Sequence, residues 1–104
     1  MKLPLRISED AEAEMADAAR WYERHRRGLG EEFLAAVDAA IGRVEENPQT
    51  GSPTPGVRDA SIRRVWVRRF PHHLIYVELP DRVQVVAVAH DRRRPGYWVG
   101  RLSS

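Results

Sequence analysis

The 104-residue chain contains no cysteine. Disulfides and thiolate metal sites are thereby excluded, and a reducing, cytoplasmic setting is the natural expectation. Lysine is almost as scarce, because Lys2 is the only one among 17 basic side chains. The other basic residues are arginines, which hold phosphate well but, with a pKa above ~12, shuttle protons poorly. No apolar run approaches the ~20 residues of a membrane span, and Met1 to Ile7 lacks the apolar centre of a secretory signal. Membrane contact is therefore not expected. The glycines near 28–30 and 51–56 come without the lysine of a phosphate-cradling loop, so nucleotide-driven chemistry is not expected either. Adjacent His72 and His73 point to opposite faces of a strand, and His25 has no partner at ligand spacing. Neither a metal nor another cofactor is expected.

What remains fits one domain over residues 1–104, long enough to bury roughly 65% of the unfolded chain's surface. No segment repeats. The formal charge of +2 hides a division between the halves. Residues 1–50 hold 7 Lys and Arg against 11 Asp and Glu, net −4; residues 51–104 hold 10 against 4, net +6. The second half should carry a positive field that attracts nucleic acid or an acidic protein.

That basic half also holds the strand signal. Ile62 to Phe70, His72 to Leu79 and Val83 to Ala89 are runs rich in Val, Ile and aromatics. Pro71 joins the first two and Pro80-Asp81-Arg82 the last two, which predicts an antiparallel meander. Alternation places Val65 and Val67 on one face and Arg64, Trp66, Arg68 and Phe70 on the other. The last strand is apolar on both sides, Val83, Val85, Ala87 and Ala89 against Val86 and Val88, and so belongs inside the sheet.

The acidic half reads as helical. Leu3 to Ile7 is a short strand for a sheet edge or beginning. Ser8 offers an N-cap, and Ala11, Met15, Ala18, Ala19 and Tyr22 make one stripe of a 3.6-residue period, with Trp21 beside it. Gly28 and Gly30 allow a reversal near His25 to Gly28. Phe33, Val37, Ala40, Ile41 and Val44 repeat the stripe, Leu34 widens it, and Asn47-Pro48 stops the helix. The segment 48–60 reads as a loop, and the residues after Trp98 as either another strand or a loose tail. An α+β fold is predicted: β-α-α-β-β-β, with the N-terminal strand and a helical hairpin packed on one face of the meander.

Phe33-Leu-Ala-Ala-Val-Asp-Ala-Ala-Ile41, then Asn47-Pro48, Phe70-Pro-His-His-Leu-Ile-Tyr76 and Val83 to Trp98 together resemble the RelE/ParE superfamily of bacterial toxins. The likeness covers nearly the whole chain. Phe-Pro-x-x-x-Ile-Tyr and the ending Ala-Val-Ala-His-x-Arg-Arg-x-Pro-x-Tyr-Trp are closer to the ParE-like, plasmid-stabilisation branch. The resemblance implies the toxin of a type II toxin-antitoxin module, neutralised by a cognate antitoxin and arresting growth when freed. Its target would be DNA gyrase in the ParE branch, or messenger RNA in the ribosome in the RelE branch. A third alternative is a non-toxic subunit of a repressor complex, and a higher-order hetero-oligomer fits any of them.

Cutting RNA through its 2′-hydroxyl needs a base, an acid and fixed positive charge on the phosphate. His90 and Tyr97, with Arg64 and Arg68 as clamps, are the kind of set RelE-like nucleases use. Those enzymes often add lysines, and this chain offers only Lys2. Arg92, Arg93 and Arg94 are expected to hold the target or a phosphate. Trp66 and Phe70, with Arg68, are the expected antitoxin contacts, since large aromatics on a basic face anchor interfaces.

Overall fold

Ser8 opens the helical part of the chain. Its backbone is extended, and its hydroxyl accepts from the amide of Ala11 at 3.1 Å, meeting one of the donors that a helix start leaves unpaired. The structure is a computed structural model that describes residues 2–59 and 61–103, Ser103 by its backbone only. Helix α1 spans Glu9–His25 with Glu9, Asp10 and Glu12 in its first turn and Arg24 and His25 in its last, both in accord with the helix dipole. Helix α2 spans Leu29–Glu46 and stops at Asn47, ahead of Pro48. Between them the Glu23 carboxylate accepts from the amides of Gly28 and Gly30 and so caps α2. A Cβ at Gly30 would lie 2.6 Å from the carbonyl oxygen of Ala19, so the hairpin closes this tightly only over glycine.

Five strands form one sheet in the order β1-β5-β4-β3-β2. Strands β3 (Ile62–Val67), β4 (His72–Glu78) and β5 (Val83–His90) make the antiparallel meander, with β1 (Leu5–Ile7) parallel to β5 at one edge. Strand β2 (Ser52–Pro53) lies antiparallel to β3 at the other. Both helices cover one face. Ala11 and Ala19 of α1 and Phe33, Val37, Ala40 and Val44 of α2 pack on Val67, Leu74, Tyr76, Val83, Val85 and Val88. Each large apolar side chain buried there contributes about 1.5–3 kcal/mol relative to exposure. Leu34 is the exception in its stripe and stays exposed.

The chain departs from its sequence-based expectation in four places, each with a local cause. First, the 48–60 segment contains β2. The Tyr76 hydroxyl donates to the Pro48 carbonyl and accepts from the Gly51 amide, and Arg63 donates to the Gly51 carbonyl at 2.7 Å, which pins two residues against β3. Second, β3 ends at Val67. Arg69 takes a positive φ of 75°, and the turn it makes carries Phe70 to the helix-covered face, where its ring lies 5.0 Å from Tyr22 and 5.2 Å from Phe33. Third, a bulge interrupts β5, because Tyr76 pairs with Val85 but Ile75 pairs with Ala87. Val86 and Ala87 therefore share the far face, and Val88 returns to the helices.

Fourth, the residues after Trp98 form a 3-10 helix, Val99–Ser103. Trp98 is 2% exposed and covers Ile62, Ile75, Val77, Val86 and Ala87 on the far face. That face is thus half roofed by the chain's own end. The rest of it stays open.

Candidate binding site

The open part of the far face is built by alternation. Arg64 and Trp66 share a side of β3, and the register sets Trp66 opposite His73 of β4, which in turn faces Ala89 of β5. The segment after β5 folds back over this row. Together they enclose a cavity of about 270 Å3 lined by Arg64, Trp66, His73, Asp91, Arg93 and Arg94, with Thr54, Pro55 and Trp98 among its walls.

His73 is the chemical centre of the cavity. It is buried, and its Nδ1 lies 2.6 Å from Oδ1 of Asp91. A carboxylate only accepts, so Nδ1 carries the hydrogen and donates. Nε2 is buried without a hydrogen-bond partner among the described residues. Burial pushes the His73 pKa down, the nearby Arg64 charge pushes it further, and Asp91 pulls it up, with the net direction downward. At neutral pH the pair is therefore a neutral imidazole donating to a carboxylate. Trp66, 55% exposed, lies over the His73 ring at 3.8 Å between centroids. Arg64, Arg93 and Arg94 have no ion-pair partner among the described residues, and Arg93 rests its guanidinium 4.0 Å from the Tyr97 ring centre.

Tyr97 turns away from the cavity's chemistry. Its hydroxyl donates to Glu14 of α1, and burial together with that carboxylate pushes its pKa up. Glu14 also accepts from the Val88 amide at 3.0 Å and from Arg101, whose guanidinium reaches the Val86 carbonyl as well. These two side chains cap the rim of β5 beyond the end of β1.

The expected site residues are thus divided. Arg64, Trp66, Arg93, Arg94 and Tyr97 all border the cavity. His90 touches its wall, but its ring packs on the helix side, 5.0 Å from the ring of His72, in a cleft lined by Ala18, Trp21, Tyr22 and Pro71. Its Nδ1 accepts from the Arg92 amide at 3.0 Å. Arg68 lies in the turn after β3, where its charge adds to burial in lowering the pKa of Arg43, and does not line the cavity. Arg92 is exposed outside it. Trp66, Arg68 and Phe70 meet along a separate shallow cleft, although the buried Phe70 belongs mainly to the helix-side core and does not share a strand face with Trp66.

Sequence reasoning missed the His73–Asp91 pair and Glu14. The turn at Pro71 does set His73 opposite Trp66 on the basic face, but nothing local marks Asp91 as its partner. Among the described residues no three His, Asp or Glu side chains gather as a metal would need, and no helix is long and apolar enough to cross a membrane.

The model of a family described as the ParE toxin of the type II toxin-antitoxin system parDE matches residues 5–95. The chain belongs to the ParE toxin family. Among solved structures it is similar to a chain of the chromosomal ParDE TA system from P. aeruginosa. That match has a TM-score of 0.73 at 11% identity and covers 86% of this chain and 96% of that one. A chain of the YoeB dimer from Staphylococcus aureus shares the fold more loosely, with a TM-score of 0.56 at 9% identity over 85% of this chain and 95% of that one. No curated protein matches by sequence at a significant level. These likenesses establish the fold, two helices on a five-stranded mixed sheet, for a ParE family member.

Proposed function

We propose that the chain is the toxin of a type II toxin-antitoxin module, that it arrests growth by binding DNA gyrase without cutting nucleic acid, and that a cognate antitoxin neutralises it. The observation that carries the non-enzymatic part is the commitment of Tyr97, whose phenol donates to Glu14 and is held protonated by burial and by that carboxylate. The ring of His90 packs against His72 on the helix side and only touches the cavity wall, and Arg68 does not line the cavity, which weighs against a ribonuclease built on these residues. What the far face does offer is an exposed tryptophan and arginines without ion-pair partners among the described residues, a surface suited to gripping an acidic partner. The shallow cleft of Trp66, Arg68 and Phe70 is the proposed antitoxin contact, adjoining the target face so that the two partners compete.

The test pairs two assays on the purified chain. Loss of gyrase supercoiling with accumulation of cleaved DNA is expected, and no cut message by primer extension in a translation reaction. A cleaved message with gyrase untouched would reverse the assignment. Normal growth on expression without the partner would favour a subunit that works only in a repressor complex.

A further inference from the structure

We propose that the cleft between α1, the start of β4 and the end of β5 is a small-molecule site that takes a neutral, planar aromatic compound carrying a carbonyl acceptor. It lies on the helix-covered side of the sheet. Its walls are Ala18, Trp21 and Tyr22 of α1, Pro71, and the register partners His72 and His90, around a volume of about 420 Å3. That volume falls within the roughly 300–1,000 Å3 of pockets that enclose small molecules. Four of the six wall side chains are flat π rings, which favour a flat guest. Trp21 is 49% exposed, yet its indole is stacked on His25 at 3.7 Å and edge-on to Tyr22 at 5.2 Å between centroids. The His25 ring is in turn tied by Nδ1 to the Trp21 carbonyl at 2.8 Å. This wall is braced before any guest arrives, so binding has little side-chain ordering to impose.

Two imidazole edges set the polar requirement. Nδ1 of His90 accepts from the Arg92 amide at 3.0 Å, so the ring hydrogen of His90 sits on Nε2. The Tyr22 hydroxyl lies 3.5 Å from Nδ1 of His72. Burial keeps that phenol protonated and lowers the His72 pKa to about 4, so the phenol donates and a neutral His72 ring also carries its hydrogen on Nε2. Neither Nε2 has a hydrogen-bond partner among the described residues, although His72 is only 5% exposed. The missing partner is therefore an acceptor. Charge narrows the choice. Among the described residues no charged side chain lines the cleft. Asp91 adds to burial in raising the Tyr22 pKa, and Asp91 and Glu14 both oppose the fall in that of His72, so the nearest carboxylates repel an anion. A cationic amine would bring further donors to a site that already has donors. A carbonyl on an aromatic plane meets the flat walls, the N–H groups and the lack of charge together. The inference is independent of the gyrase and antitoxin assignments, since those rest on the far face and on the cleft of Trp66, Arg68 and Phe70.

Titration of the full chain with benzamide, toluene, benzoate and benzylamine, followed in two-dimensional amide NMR spectra, would decide. Benzamide is expected to bind at one site with millimolar or tighter affinity and to move the indole N–H signal of Trp21. Toluene, which keeps the ring and lacks the acceptor, should bind about fivefold more weakly, the size of one neutral hydrogen bond. Benzoate and benzylamine should also bind more weakly than the amide. His90→Phe keeps a ring, removes one donor and should narrow the gap between benzamide and toluene. Because that change also releases the Arg92 amide, the exposed Trp21 provides an independent arm, and Trp21→Ala should weaken benzamide and toluene alike. Equal affinity for benzamide and toluene, tighter binding of benzoate or benzylamine, no binding of benzamide at millimolar concentration, an unchanged gap in a folded His90→Phe, or no effect of Trp21→Ala would each overturn the proposal.

Discussion

Removing the carboxylate of Glu14 should loosen the chain's end from the sheet. Its Oε1 accepts from the Val88 amide and from Arg101, each at 3.0 Å, and its Oε2 accepts from Tyr97 and, at 3.2 Å, from Arg101. In Glu14→Ala the Val88 amide and the Tyr97 hydroxyl each lose a net bond of about 1 kcal/mol. The ion pair adds about 1 kcal/mol more, discounted because the two side chains are 18% and 23% exposed and because Arg101 keeps Val86 and Asp10. The expected loss is about 3 kcal/mol, roughly 12–24 °C in Tm for a chain of this size. Glu14→Gln retains an acceptor oxygen and should lose about half as much. Thermal and denaturant unfolding measure both, and the near-ultraviolet dichroism of Trp98 should weaken in the alanine variant before global unfolding. A loss below about 1 kcal/mol, or a glutamine variant as damaged as the alanine one, would refute the assignment of Glu14 as the clamp.

Four further outcomes are expected. His72 packs among Tyr22, Phe33 and His90, and burial, assisted by His90, pushes its pKa down to about 4. The unfolded chain takes up this proton near pH 6.5 and the folded chain does not, so stability present at pH 7 should fall by about 3 kcal/mol as pH drops to about 4. His72→Phe should flatten that slope in denaturant titrations, and an unchanged slope would assign it elsewhere. Gly30→Ala forces a Cβ within 2.6 Å of the Ala19 carbonyl and should cost about 1–3 kcal/mol in chemical unfolding; no cost would mean the hairpin relaxes freely. Trp66→Ala should weaken antitoxin binding by about 2 kcal/mol in calorimetry while leaving Tm unchanged, as befits an exposed anchor. His90→Ala combined with Tyr97→Phe should leave toxicity intact, whereas an endonuclease would lose on the order of 10² or more in cleavage rate.

Periodic signals carried the helical half of the chain well. The stripes from Ala11 to Tyr22 and from Phe33 to Val44, the Ser8 cap and the stop at Asn47 are all where side-chain spacing puts them. The meander was equally legible, since Pro71 and Pro80-Asp81-Arg82 mark its turns. Single-residue changes of phase were not. Nothing in Val83 to Ala89 marks Val86 as the bulged position, because the run is apolar on both sides and either phase buries it. Arg69 adopts a backbone conformation that its residue type does not announce, and Phe70 changes face as a result. For the site, alternation alone correctly joined Arg64 to Trp66. The pairing of His73 with Asp91 depends on how the segment after His90 folds back, which no local pattern encodes.

The clasp formed by Glu14 and Arg101 bears on how the molecule behaves in company. Exposed backbone along a β-sheet border is a template on which a neighbouring molecule's strand can add, and addition repeated from copy to copy ends in precipitate. Two oppositely charged side chains already occupy the amide of Val88 and the carbonyl of Val86. A stranger's strand would have to evict them, so crowding at high concentration finds no easy foothold along that border.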